Sequence, residues 1–252
     1  MSAKPAWPAG VARHVLQTVD STNAYALRMA PETPGPAWFL GLEQTAGRGR
    51  RARPWASPRG NFYGTLLLHP TESPEVIALR SFAASLALRD AFVSLTGLPG
   101  AFALKWPNDV LLNGGKVAGI LLESSANTRG GFDLAIGIGV NLIGAPDVSA
   151  VEPGATIPVS LLNETGLRIT PEALLDALAP AYAAWEAAFV NQGFTALRQE
   201  WLSHAARLGD TIRARTGSQT REGVFETIDP AGNLILRMSS GTVAIPAAEV
   251  FF

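Results

Sequence analysis

Apolar residues recur three or four positions apart at Leu174, Leu178, Tyr182, Trp185 and Phe189, a spacing that lines one face of a helix. Pro180 falls inside that run, and a kink is expected there, because proline lacks an N–H and its ring meets the preceding turn. A second long helix is expected from Ser73-Pro74-Glu75 through about Leu95, stopping near Gly97: a cap, a proline suited to the first turn and an acid at the positive helix end. A third opens at Asp20-Ser21-Thr22, where a hydroxyl can accept from the orphan amides of a helix running through Met29. Shorter apolar runs at 37–43, 62–68, 102–106, 110–112, 117–122 and 133–142 read as strands. Asn113-Gly114-Gly115 separates two of them and signals a hairpin, since both central residues of the favoured turn take positive φ. Strict alternation of strand and helix is absent, so the class is α+β, an antiparallel or mixed sheet flanked by helices.

After about His204 the pattern changes. Short β runs at 211–215, 223–228, 234–238 and 243–245 are separated by turns such as Asp229-Pro230-Ala231-Gly232-Asn233, which predicts a small β-barrel. The expected division is 1–204 for a first domain and 205–252 for the barrel, which is too small to stand alone and should pack on the first. Residues 144–158, rich in proline, glycine and alanine, read as a loop.

Composition sharpens this picture by exclusion. Of 252 residues 47% are apolar and 16% charged, so a disordered chain is excluded. Twenty basic and 21 acidic residues give a net charge of −1, which does not describe a general nucleic-acid binder. With no cysteine, disulfides, thiolate zinc sites, iron–sulfur clusters and a cysteine nucleophile are impossible, and a reducing cytoplasm fits. Met1 to Gly10 contains Pro5 and Pro8 and makes a poor secretory signal, so a cytoplasmic lead-in is expected. No stretch reaches the roughly 20 apolar residues of a membrane helix, and Val76 to Leu95 is interrupted by Arg80, Arg89 and Asp90, so no membrane is expected.

Chemistry concentrates in residues 43–55. Arg48, Arg50, Arg51, Arg53 and Arg59 lie close together with no acid among them, and guanidinium groups bind phosphate or carboxylate through paired hydrogen bonds. Gly47-x-Gly49-x-x-Ala52 formally matches a dinucleotide fingerprint, but Pro54 and Ser57-Pro58-Arg59-Gly60 break the helix that fingerprint needs. A mobile anion-binding loop fits better, and a solvated basic loop is the bland alternative. Lysine occurs only as Lys4, Lys105 and Lys116. Lys116, a compact charge just past the Gly-Gly turn, can reach a phosphate or carboxylate, or simply be an exposed hairpin lysine, and Gly119 would let a ligand lie close to the backbone.

Five segments together resemble one family, the biotin protein ligases, also called biotin–[acetyl-CoA-carboxylase] ligases. They are Asp20-Ser21-Thr22-Asn23, Gln44 to Trp55, Lys105-Trp106-Pro107-Asn108-Asp109, Lys116 to Glu123, and Ile136 to Leu142, in the family's order. The β-rich tail resembles the family's C-terminal SH3-like domain. The resemblance implies a class II aminoacyl-tRNA-synthetase-like catalytic domain and a two-step reaction. Biotin and ATP, with Mg2+ on the nucleotide, give biotinyl-5′-AMP and pyrophosphate; a lysine of a biotin carboxyl carrier domain, from acetyl-CoA carboxylase or a related carboxylase, then takes the biotin.

By the same resemblance Ser21, Thr22, Asn23 and Gln44 face biotin, Gly47, Arg48, Gly49 and Arg50 close over biotin and the adenylate, and Gly119 lies against the ligand. Lys116, Arg50 and Arg48 supply the catalytic charge, and Arg50, Trp55, Asn108, Asp109, Lys116 and Asn141 serve the nucleotide, with Asn108, Asp109 and Asn141 on its magnesium side and no metal ligand assigned. Ala52 stands where the family usually has glycine and Pro54 where a basic residue is common, which puts the loop's hinge in doubt. Some members carry an N-terminal helix-turn-helix; about 19 residues precede Asp20, so an enzyme without operator binding, monomer or homodimer, is expected. The competing readings are a lipoate–protein ligase, which shares fold and adenylate chemistry, and a non-catalytic nucleic-acid-binding module.

Overall fold

Ser21 caps as its position predicts: its hydroxyl accepts from the Ala24 N–H at 3.5 Å and opens α1, Thr22–Met29. The computed structural model describes residues 6–152, 154–217 and 219–251; Met1 to Pro5, half of the expected lead-in, lie outside the described residues. The main sheet is built from β1 (Ala12–Leu16), β2 (Ala37–Gly41), β3 (Phe62–Leu68), β4 (Phe102–Lys105), β5 (Asp109–Leu112), β6 (Gly115–Ala126) and β7 (Phe132–Val140), in the order β1-β2-β3-β7-β6-β5-β4. β1 and β2 are parallel and the other neighbours antiparallel, so the sheet is mixed as expected. Asn113 and Gly114 take φ of 50° and 83°, the left-handed pair that the β5–β6 hairpin requires.

Side-chain alternation gives the sheet two faces. Ile120, Ile136 and Ile138 look into the large core, which α3 (Arg80–Thr96) and α5 (Pro171–Gln192) cover. The opposite face carries α1, through a smaller cluster of Ala26, Ala30, Ala37, Phe39 and Leu67. The long helix expected from Ser73 is two segments, α2 (Pro74–Ala78) and α3, joined at Leu79, and Gly97 closes α3 at φ 72°. α4 (Leu161–Thr165) and α6 (Phe194–Ser203) complete the helices. α5 runs unbroken through Pro180.

One exclusion made from sequence needs correction: α5 is long and apolar enough by length and composition to cross a membrane. Its Leu174, Leu175, Leu178, Tyr182 and Phe189 are instead buried in the core, as a core helix's would be. The exclusion weighed Val76 to Leu95 and left this segment, where Pro180 is expected to kink the helix, unweighed.

The C-terminal strands β8 (Thr211–Thr216), β9 (Gln219–Ile228), β10 (Leu234–Met238), β11 (Gly241–Ile245) and β12 (Glu249–Phe251) form one antiparallel sheet, ordered β11-β10-β9-β8-β12. The expected closed barrel is not formed among the described residues, because β11 pairs only with β10 and β12 only with β8. An extra residue in β9 opposite Ile235 and Leu236 bends the sheet. It docks through Gly232, where an added Cβ would stand 2.8 Å from Leu79 and 3.2 Å from Phe82, and whose carbonyl accepts from Trp106 Nε1 at 3.1 Å. Phe82 also meets the rings of Phe194 and Trp201, at 4.9 and 5.3 Å between centres.

Phe82 therefore joins α3, α6 and the C-terminal sheet. Phe82→Ala is expected to lower unfolding free energy by about 3–5 kcal/mol, measured by equilibrium urea denaturation. A loss below about 1 kcal/mol would show that the junction does not rest on this ring.

Candidate active site

The register of β6 carries the main geometric fact of the site. Against β5, Leu111 pairs with Lys116 and Val110 with Ala118, so Val117 is an extra residue in β6. A bulge shifts side-chain alternation by one, and Lys116 and Gly119, three apart, come to share a face. A Cβ built on Gly119 would stand 3.5 Å from both Cε and Nζ of Lys116. Without the bulge, Lys116 would point into the core with Ala118 and Ile120.

Lys116 is not the exposed hairpin residue of the bland reading: 28% of its side chain is accessible, and its ammonium lies 2.7 Å from Asp109 Oδ1. The segment 157–159 covers it, Lys116 N–H donating to Ile157 O and Val159 N–H to Lys116 O. Lys105, opposite Asp109 in the β4–β5 register, is buried and donates to Thr156 Oγ1 at 2.5 Å. Burial pushes its pKa below the usual lysine range, Asp109 pulls it back up and Lys116 lowers it further. Asn108 donates through Nδ2 to Ile120 O at 2.5 Å and Asn141 to Val159 O at 3.1 Å, so both amides fasten the backbone around Lys116.

Further along the same face, Gly119 pairs with Gly139 and Leu121 with Gly137. The three glycines leave a floor without side chains, and Trp55 lies on it: a Cβ on Gly139 would stand 2.8 Å from the indole and one on Gly119 3.3 Å. The Lys116 ammonium is 5.6 Å from the centre of that ring, within cation–π range. Trp55 Nε1 is buried with no hydrogen-bond partner among the described residues. Gly137 and Gly139 were not singled out as site residues from sequence. The signal was available, because glycines two apart on a strand face the same way and admit a flat group.

Beyond the glycine floor sits a polar, buried niche. Gln44 Oε1 accepts from the Thr22 N–H at 2.9 Å and from Thr22 Oγ1 at 3.1 Å, while Gln44 Nε2 donates to Ser57 Oγ at 2.9 Å. Asn23 donates to Leu121 O and to Glu123 Oε2, at 3.1 and 2.8 Å, and accepts from Thr65 Oγ1 at 2.7 Å. Ser21, Thr22 and Asn23 are each only 4% exposed, held there by the start of α1. Ser57, Thr65 and Glu123 are working neighbours that sequence reasoning left unassigned.

The arginine loop closes over this strip as a small excursion, with Gly49 N–H donating to Arg53 O at 2.8 Å and Trp55 N–H to Gly47 O at 2.9 Å. Gly47 is needed for close approach, since an added Cβ would stand 2.5 Å from Ser57 Oγ and 2.7 Å from Trp55 O. No helix continues from the motif; a single tight turn at Arg50–Ala52 precedes β3, as the rejection of a dinucleotide fingerprint requires. Arg51 and Ala52 have φ of 57° and 56°, a left-handed pair costing roughly 1–2 kcal/mol per residue without glycine.

The arginines divide by partner. Arg48 is spent on Glu123, with its Nη2 2.9 and 3.0 Å from the two carboxylate oxygens. Arg50 has no carboxylate partner among the described residues; Nη1 donates to Ala248 O at 3.3 Å, and burial and the nearby Arg51 push its pKa below the usual arginine value. Arg50, Lys116 and Lys105 are thus the cations gathered around Asp109.

Comparison with known proteins accords with this geometry. A model described as the biotin/lipoate A/B protein ligase family matches residues 15–141, and one described as the biotin protein ligase C-terminal domain matches residues 208–252. A biotin–[acetyl-CoA-carboxylase] ligase of Paracoccus denitrificans is 57% identical over 238 residues, covering 94% of this chain and 99% of that protein. The bifunctional ligase/repressor BirA of Bacillus subtilis is 32% identical over 92% of this chain and 71% of its own length. The biotin protein ligase of Aquifex aeolicus, solved in complex with biotin and ATP, superposes with a TM-score of 0.81 at 25% identity, covering 95% of this chain and 97% of that one. On the matched residues and on a relative that is 57% identical over nearly its whole length, this chain belongs to the biotin/lipoate A/B protein ligase family.

Proposed function

We propose that this enzyme activates biotin with ATP and transfers it to a lysine of the biotin carboxyl carrier domain of acetyl-CoA carboxylase. The observation that carries the reading is the order of groups along one face of β6: a neutral polar niche at Thr22, Asn23 and Gln44, the glycine floor under Trp55, then Lys116 with Asp109, Lys105 and Arg50. The seven steps of strand from Glu123 to Lys116 span about 23 Å at roughly 3.3 Å per step, enough for an elongated ligand with an uncharged head and an anionic middle. The Paracoccus and Aquifex relatives support the same substrates.

A carboxylate oxygen of biotin attacks the α-phosphorus, and the bond from that phosphorus to the β-phosphate oxygen breaks, releasing pyrophosphate. Two anions must approach each other, so the contribution of Lys116 and Arg50 is fixed positive charge at the place where negative charge accumulates. In the second step the carrier's lysine nitrogen attacks the anhydride carbonyl, the carbon–oxygen bond to AMP breaks, and the amine loses a proton. Mg2+ bound to the triphosphate would neutralise part of its charge, on the side where Asn108, Asp109 and Asn141 stand. Ser21, Thr22, Asn23 and Gln44 take biotin's polar ring, Gly47 to Arg50 cover the carboxylate, and Trp55, Asn108, Asp109 and Asn141 wall the nucleotide. Residues 1–204 are the catalytic domain and 205–252 the C-terminal one; the reading includes neither DNA nor a membrane, and places the enzyme in the cytoplasm with its ATP and acceptor.

Incubation with ATP, Mg2+ and labelled biotin should yield an acid-labile biotinyl adenylate; activation of lipoate but not biotin would overturn the assignment. Lys116→Ala should slow adenylate formation by at least about 100-fold in single turnover with the circular dichroism spectrum unchanged, and comparable rates would refute its role.

Arg48 and Arg50 should separate kinetically. Arg48→Ala releases Glu123 and Asn23 beside the polar niche, and is expected to raise the KM for biotin about tenfold with less than about threefold effect on ATP. Arg50→Ala should do the reverse. Equal effects of each variant on both substrates would show that the two arginines act as one unit.

A further inference from the structure

We propose that Glu249, on the last strand of the C-terminal sheet, latches the arginine loop in its closed position, making it a positioning residue for the adenylating site. The inference rests on the ligase reading above.

Glu249 Oε2 accepts from Arg51 Nη1 at 2.9 Å, across 198 positions of sequence, and from Arg215 Nη2 at 2.5 Å; its other oxygen pairs with Arg53. Its neighbour Ala248 accepts from Arg50 through the backbone. Two successive residues of the C-terminal domain therefore hold three of the four arginines between positions 48 and 53, and Arg48 is held elsewhere. Arg215 extends the network to Glu152 at 2.6 Å, in the 144–158 segment. That segment also supplies Thr156 to Lys105 and Ile157 to Lys116, so the latch touches both walls of the cationic end.

The backbone shows why a latch is needed. Arg51 and Ala52 are both left-handed, without a glycine to relieve them, and such a conformation persists only where its surroundings over-determine it. The flanking side chains of Arg51 and Arg53 converge on one carboxylate, which supplies that determination. Taken singly these ion pairs are weak, for Arg51 and Arg53 are 45% and 53% exposed. Glu249 is different: its side chain is 19% exposed and it is shared by three guanidinium groups, which would face one another without it. Burial alone would raise its pKa, but hydrogen bonds from Arg215 and Arg53 and the charge of Arg53 and Arg51 hold it at about 2, so the carboxylate stays charged at neutral pH.

A loosened loop lets the adenylate escape to water. The test uses the full chain with ATP, Mg2+ and labelled biotin, no acceptor, and follows single-turnover adenylate formation alongside release of the adenylate into solution. Glu249→Gln should raise the release rate at least about tenfold and the KM for ATP severalfold, while the formation rate at saturating ATP changes less than about threefold. Ala52→Gly relieves the strained turn, so alone it should slow release, and in its background the Glu249→Gln defect should shrink. Unchanged release in Glu249→Gln, strictly additive effects of the two substitutions, or faster release in Ala52→Gly alone would overturn the latch. Should the unmodified chain form no adenylate at all, the failure would be that of the ligase reading.

Discussion

One extra residue in β6 decides where the chemistry sits. A strand that alternates perfectly would bury Lys116 among the isoleucines and leave Gly119 facing the other way. The bulge at Val117 turns the lysine onto the glycine face, beside Asp109 and over the strip where Trp55 lies. The local sequence allows this: the Asn113-Gly114 turn fixes the hairpin's end, and segment 157–159 pairs with the backbone of Lys116 on the edge of β6 beyond the end of β7. Core packing below and anion chemistry above are therefore set by the same two strands, with the isoleucines of β6 and β7 on one face and their glycines on the other.

That division was partly legible in the sequence. The capping serine of α1, the strand at 62–68, the Asn-Gly hairpin and the glycine ending α3 all follow from local rules, and all appear where those rules put them. β1 was not foreseen, since its residues Ala12 to Leu16 are mostly exposed at the sheet edge and carry no alternating pattern. The bulge was equally invisible, because nothing in Gly-Lys-Val-Ala-Gly distinguishes a regular strand from one with an extra residue. The candidate residues fall within motifs, but their pairing does not: Glu152, Thr156 and Glu249 come from distant segments, Glu123 on β6 meets Arg48 from 75 positions away, and pairing across such separations leaves no local trace.

The same long-range pairing explains the balance of charge. Five arginines within a dozen residues would repel one another and splay the loop, unless acids elsewhere in the chain were brought to it. Arg48 finds Glu123, Arg51 and Arg53 find Glu249, Arg53 also reaches Glu152, and Arg59 lies 3.3 Å from Glu43. Arg50 is left without a hydrogen-bonded carboxylate among the described residues, and with Lys105 and Lys116 it gathers around Asp109, so cations outnumber the carboxylate they surround. A net charge of −1 for the whole chain thus conceals a deliberate local excess at one end of the β6 face. Because that excess is partly buried, salt screens it less than it would a surface patch, so attraction for an anion at this end survives ionic strength that would weaken a general polyanion binder's.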